Sequence, residues 1–390
     1  MKKISTARLI LAAILAIFMY GIIAAMLGTI LPSLSERFGF TPEQNGNIAL
    51  AQALGLIIAS VSAGPLIDNK GKKTALVIGL GLIAVALGLL PTAGGYGAVM
   101  AFLFLLGFGG GIVVTGANAL AGDINEERRA SVLNLLNLFF GLGGLLTPFI
   151  AANMLGGDAA KIAITAAVLA AIAFLAQVTT PMPAPTGERG FKMAEAGSLL
   201  GSPILWLLAL FLFLYVSCEV GVWNWLAPHL IAQGIDRSAA LNTLSLGFAL
   251  GMLIGRVVVS RILIKVAAPT VTLAAAILMA ITTYAMLNAS SATAAAIAVF
   301  CAGLAMAPVF PTTLAMVGDA FPKGTATAMG LVITFGWVGL AVSSRIIGSI
   351  AGDDPKRLKT ALLLLPAFSV AMIVVNLIVR PMLTRTRKVA

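Results

Sequence analysis

The chain has 390 residues, 60% of them hydrophobic and only 10% charged, with a formal net charge of +11. A water-soluble domain carries about 25% charged residues, so this composition excludes an ordinary soluble core. One histidine and two cysteines cannot supply the clustered acid–base or metal-binding groups that most enzymes need, so no catalytic centre, cofactor or metal site is expected.

About twenty apolar residues cross a bilayer as a helix. Twelve such runs follow one another, at 9–31, 46–67, 74–91, 97–121, 130–154, 161–180, 203–227, 240–260, 270–287, 293–317, 325–350 and 360–383. The expected fold is an all-α membrane protein of twelve transmembrane helices. The opening "MKK" resembles the start of a signal peptide, but the run after it is too long and eleven more follow, so it reads as an anchor that stays. Most of the 25 Lys and Arg fall in loops on the N-terminal side, the basic loop 353–359 being the local exception. The positive-inside rule then puts both termini in the cytoplasm, in the inner (plasma) membrane of a bacterium. The positive excess is an orientation signal and a contact for membrane lipid, not a nucleic-acid surface. Cys218 and Cys301 lie inside apolar runs and read as small buried hydrophobes.

Polar residues inside the runs are costly, so their positions carry the information. Between spans 2 and 3 lies "GPLIDNKGKK", with Gly64, Asp68, Gly71, Lys72 and Lys73 in one short loop. Span 4 carries Thr115 and Asn118 and ends at Asp123; span 5 carries Asn134 and Asn137, three residues apart. The polar stretch "PMPAPTGERGFKMAEAGS" then divides the chain into bundle 1–180, linker 181–200 and bundle 201–390. The two bundles resemble each other at one constant offset, with Gly107 falling on Gly303, Gly143 on Gly339 and Pro32 on Pro228. Repeated matches at one spacing favour a duplicated six-helix unit and hence two pseudo-symmetric bundles.

Span 7, "LFLYVSCEVGVWNWLAPHL", holds Glu219, the one acid of the fourteen that no loop or membrane face accounts for. A lone carboxylate in hydrocarbon costs at least about 2.5–3.5 kcal/mol. Counted from a span end at residue 227, it lies roughly 12 Å deep. Helical spacing aligns Tyr215, Glu219, Trp223 and Leu226, with Asn224 beside them, as a wall for a polyhydroxylated ligand. Two roles stay open for Glu219: binding a coupling ion, or tying span 7 to a neighbour. Further on, Arg256 ends span 8, where it either snorkels or joins an inner gate. Span 10 has "APVFPTT", in which Thr312 and Thr313 can satisfy carbonyls freed by Pro308 and Pro311, and span 11 has Thr334 and Trp337. Asn118, Asn134, Asn137, Thr312, Thr334 and Trp337 are candidate substrate contacts, interhelical glue being the alternative.

The loop "GPLIDNKGKK" resembles the Gly-x-x-x-Asp-x-x-Gly-Arg-Lys signature of the major facilitator superfamily. "YVSCEVGVWNWLAPHL", "NLLNLFFGLGGLLTP" and "GLAMAPVFPTTLAMVGDAFP" resemble its fucose–galactose–glucose:proton symporters, nearest their sodium-dependent glucose transporter-like branch. The likeness implies a twelve-helix transporter working by alternating access, with a hexose as substrate and H⁺ or Na⁺ as coupling ion. It implies an inner latch as well. Gly64 allows close helix approach, Gly71 makes a tight turn, Asp68 caps span 11, and Lys72 or Lys73 pairs with Asp123. Two usual coupling acids are missing, their places taken by Val114 and Gly28. Either Glu219 carries coupling alone or the protein is a facilitator. An exporter of amphiphilic drugs or metabolites is the second transport reading, and a non-transporting sensor the third. A monomer is expected.

Overall fold

A computed structural model describes residues 6–124, 129–182, 199–289, 292–321 and 325–389, and among them there are helices and no strands. Eleven helices are long and apolar enough to cross a membrane: α1 (Thr6–Phe38), α2 (Pro42–Gly64), α3 (Asn69–Thr92), α4 (Tyr96–Leu120), α6 (Ala159–Thr179), α7 (Pro203–Ala232), α8 (Arg237–Ile262), α9 (Ala268–Asn288), α10 (Thr293–Ala320), α11 (Ala328–Ala351) and α12 (Pro355–Leu383). The remaining one is α5 (Arg129–Asn153). Most of the expected linker lies outside the described residues. The face where α1 begins and α12 ends is termed the terminal face, and the opposite one the far face.

Local chemistry sets the helix ends. Thr41 and Gln44 form a reciprocal capping box with Pro42 at the first helical position of α2. Asp158 caps α6 through Lys161 N at 2.9 Å, and Asp236 caps α8 through Ser238 N and Ala239 N. The kink that separates the helical runs of α2 and α3 falls at Gly71, in the first turn of α3, with φ 86° and ψ 159°. Only glycine enters that region freely.

Inside the halves, helices meet backbone to backbone, and the duplicated glycines are where they do. A Cβ on Gly107 would lie 1.9 Å from Gln52 O, and one on Gly303 would lie 2.2 Å from Phe248 O. Thus α4 seats on α2 as α10 seats on α8. A Cβ on Gly143 or on Gly339 would lie 2.4 Å from Phe18 O or from Phe213 O, so α5 on α1 repeats as α11 on α7. Pro32 and Pro228, the third matched pair, both lie inside helices at the far ends of α1 and α7. The offset seen in the sequence is therefore a repeat of packing positions. Without a hydrophobic drive between helices in lipid, such close approach is what holds each bundle together.

Across the halves, α1 packs on α7, α2 on α11, and α5 on α8. Between described residues, the cross-half hydrogen bonds gather toward the far face. Asn153 Nδ2 donates to Asn242 Oδ1 at 2.7 Å, and Asn242 Nδ2 answers at 3.3 Å. Arg345 reaches Glu43 at 3.1 Å, Arg237 pairs with Glu36, and Glu43 N donates to Gly352 O at 3.1 Å. Gly46 and Gly348 let α2 and α11 touch, a Cβ on Gly46 falling 3.1 Å from Gly348 Cα. Deeper in, Ser245 Oγ donates to Leu145 O at 2.7 Å. On the terminal side, Gly64 faces open space. The bundle is closed at its far face.

The paired seats generate a test. Gly107→Ala and Gly303→Ala should each lower thermal stability in detergent by a similar amount, about 1–3 kcal/mol, because each overpacks an equivalent backbone contact. A large loss at one position and none at the other would break the equivalence.

Candidate functional site

Glu219 lies near the centre of α7, which continues through Pro228 to Ala232. At about 1.5 Å per residue the carboxylate is roughly 20 Å from the nearer end of its helix. The helix does not stop at Pro228 because the proline ring, though it removes one hydrogen bond, leaves the chain helical until Gly234, where φ is 89°. Glu219 and Val220 are partly accessible between the buried Cys218 and Gly221.

The groups around that carboxylate come from both halves. Tyr215 and Trp223, one turn to either side on α7, present their hydroxyl and indole N–H toward it, and Arg256 of α8 supplies a positive charge within electrostatic reach. Neither Tyr215 Oη nor Trp223 Nε1 makes a hydrogen bond of normal length, and both are buried. They face Glu219 closely enough to act on its charge without closing on it. From the other half, Tyr20 of α1 also feels the Glu219 charge, and its ring lies 5.5 Å from that of Phe140. The Arg256 guanidinium in turn stands 5.5 Å from the Phe140 centroid, a cation–π contact across the halves. Gly141 leaves room beside Leu253 and Arg256.

The sequence candidates divide accordingly. Tyr215, Glu219, Trp223 and Arg256 come together. Arg256, expected at an inner gate, stands beside Glu219 and Phe140. The Trp223 ring is not an open stacking surface, because it meets Phe248 edge-on at 5.1 Å and is 5% exposed. Asn224 donates to Ser344 Oγ at 3.3 Å within its own half. Asn118 and Thr334 bond carbonyls one turn back on their own helices, Val114 O and Gly330 O. Thr313 Oγ1 donates to Val309 O at 2.7 Å, one turn back and not a carbonyl that either proline frees, while Thr312 is buried with its hydroxyl unpaired. Trp337 is partly buried against the core. Of the latch, Gly64 and Gly71 are as described above, and Lys73 Nζ donates to Val178 O at 2.6 Å. Lys72 takes part in an interaction of its own. The side chains of Asp68, Asp123, Asn134 and Asn137 lie outside the described residues.

Tyr20 and Phe140 escaped the sequence reading. Tyr20 left a signal, since it is one of only four tyrosines and sits mid-span in "IFMYGII". Phe140 left none, being one of nineteen phenylalanines.

Two like six-helix halves that meet around an internal carboxylate and a nearby arginine and close at one end make a membrane transport protein, not an enzyme. The chain belongs to the Major Facilitator Superfamily, whose family model matches residues 13–344. Among curated relatives, the glucose/mannose transporter GlcP of Bacillus subtilis is 24% identical over 95% of this chain and 93% of its own length. The 4-hydroxybenzoate transporter PcaK of Pseudomonas aeruginosa is 29% identical over 38% of this chain and 33% of its own. The solved structure of a point mutant of the nucleoside transporter NupG superposes with a TM-score of 0.81 at 12% identity, covering 96% of this chain and 99% of that one, a likeness of fold.

The pairing of charges can be tested through stability. Arg256→Gln should lower the unfolding temperature by several degrees, because it leaves the Glu219 carboxylate without its cation. The double variant with Glu219→Gln should regain most of that loss, and additive losses in the double variant would show that the two charges do not interact.

Proposed function

We propose that this protein moves a neutral monosaccharide, a hexose, across the membrane by alternating access, and that a proton on Glu219 drives it. The observation that carries this reading is the composition of the site where the halves meet. Glu219 and Arg256 offset one another, so the space beside them has little net charge and suits an uncharged ligand. The Tyr20 hydroxyl and the Glu219 carboxylate can exchange hydrogen bonds with sugar hydroxyls, and the partly accessible Phe140 ring offers an apolar face to a pyranose. The whole-length likeness to GlcP supports the same substrate class.

The neighbours of Glu219 also favour a proton over sodium. Sodium, a hard cation, needs several oxygen ligands. Around Glu219 stand an indole N–H, a phenol and a guanidinium, which are proton donors or a competing cation. A proton needs only the carboxylate itself. Protonation would leave Arg256 in excess, and deprotonation would restore the pair, so ion and substrate share one electrostatic balance.

The surplus of Lys and Arg on the terminal side supports cytoplasmic termini in a bacterial inner membrane, which makes the far-closed structure inward-facing. The unit is proposed to work as a monomer, since each chain holds both halves of a site. A second reading has one specific observation behind it. Arg256 beside an aromatic ring would suit an aromatic carboxylate, the kind of compound named for PcaK.

Reconstitution into proteoliposomes separates these readings. A labelled hexose should accumulate under an inward pH gradient and not under a sodium gradient. Glu219→Gln should abolish accumulation and retain exchange, because the amide mimics the protonated acid. Uptake of 4-hydroxybenzoate without hexose uptake would install the second reading, binding of a lipophilic cation alone would install the drug exporter, and sodium-driven uptake would overturn the proton.

A further inference from the structure

We propose that Trp223 is the positioning residue that ties Glu219 to the far-face gate, and that Gly28 and Gly144 of the opposite half form the notch in which it seats. The inference rests on Glu219 being the coupling group, but its geometry stands apart from which substrate is carried.

Three contacts fix this tryptophan at once. On the backbone side, a Cβ on Gly28 would fall 1.8 Å from Trp223 O and 3.0 Å from Asn224 Cα. Helices α1 and α7 can therefore cross at this point only because residue 28 has no side chain. On the ring side, a Cβ on Gly144 of α5 would stand 3.2 Å from Trp223 Cη2 and 3.4 Å from Cζ2. The indole edge lies directly on the bare backbone of α5. Its other contact is edge-on to Phe248, at 5.1 Å and 80°. Phe248 belongs to a π-helical stretch of α8, Thr243–Ala249, whose Ser245 bonds Leu145 O in the opposite half. Such stretches mark places where a helix departs from its regular register.

Seated in this way, Trp223 turns its Nε1 toward Glu219 and, among the described residues, has no other partner for it. Trp223 thus meets the opposite half twice, its backbone at Gly28 and its indole at Gly144, while the same indole borders the coupling carboxylate and the α8 segment anchored across the gate. When the far face parts, α1 must leave the Trp223 backbone and α5 its ring, and the ring loses the α5 wall that holds its N–H toward the carboxylate. An ionised Glu219 attracts that N–H more strongly than a neutral one, since charge-assisted hydrogen bonds are roughly twice as strong. The charged carboxylate therefore favours the seated ring and the closed far face, and loss of the charge favours opening.

The test reads the gate directly, without substrate or ion gradient. In full-length protein with Cys218 and Cys301 replaced by alanine, spin labels on Met154→Cys and Gln233→Cys report the distance between the far ends of the two halves. Wild type should show mainly the short distance. Gly28→Ala should make the long distance the major population, and Gly144→Ala, which meets only a ring edge, should shift it in the same direction by less. Trp223→Phe, which removes the N–H together with the ring edge that meets Gly144, and Glu219→Gln should each raise the open fraction several-fold. Combined, they should open the gate no further than either alone. Unchanged distances in both glycine variants would overturn the notch, and additive effects of Trp223→Phe and Glu219→Gln would overturn the link. A hexose that fails to be transported would touch neither result, so this inference and the substrate reading fail separately.

Discussion

The Glu219 carboxylate sits about midway through a membrane helix, and the arrangement around it follows from the need to keep that charge in company. Insertion of an isolated acid there costs about 2.5–3.5 kcal/mol or more. The protein answers with a cation from the next helix, Arg256, and two proton donors from its own, Tyr215 and Trp223. All three belong to the same half as the acid. Charge balance therefore survives when the halves separate, which a pairing across the interface would not allow.

What joins the halves is of a different kind. Glycine contacts at residues 28, 46, 144 and 348 bring backbones and ring edges together, and polar pairs close the rim. The rim pairs, Arg237–Glu36 and Arg345–Glu43, are well exposed. Exposed ion pairs contribute only about 0–1 kcal/mol each, so they orient the closed face more than they lock it. A gate held by small, shape-dependent contacts can open and reclose at little cost, as alternating access requires. The cavity of about 370 Å³ over this rim, lined by Pro32 and Pro228 among others, marks where the two proline-bearing helix ends diverge.

Much of this was legible in the sequence. Twelve apolar runs gave the helices because hydrocarbon demands about twenty residues of satisfied backbone each. The repeat was legible for a sharper reason: Gly107 and Gly303, or Gly143 and Gly339, cannot carry a Cβ, so duplication left the same residue at the same place. Glu219 announced itself by its cost. The partners around it did not. Arg256 lies only a few residues from the end of its helix, and such an arginine reads equally well as a snorkel or a gate. Its neighbours at the site, Tyr20 and Phe140, come from another half of the chain, and no local pattern links them to residue 219. Trp223 was placed on the stripe with Glu219, but its packing against Phe248 was not legible, because a stripe gives the direction of a side chain and not what packs against its face.

Gly28 gives the last step. The family resemblance implies an acid late in span 1, and here that position lies against the α7 backbone, with no volume for any side chain in the closed state. An acid cannot be kept there and the far face also closed in this way. The intramembrane carboxylate of this chain, Glu219, lies instead on α7, one turn from Trp223. Moving the charge from α1 to α7 also moves it out of direct contact with the opposite half. On the proposed reading, a signal from its ionisation crosses the interface through a neutral group, and Trp223, with its backbone on Gly28 and its indole between Gly144 and Phe248, is the group in position to carry it.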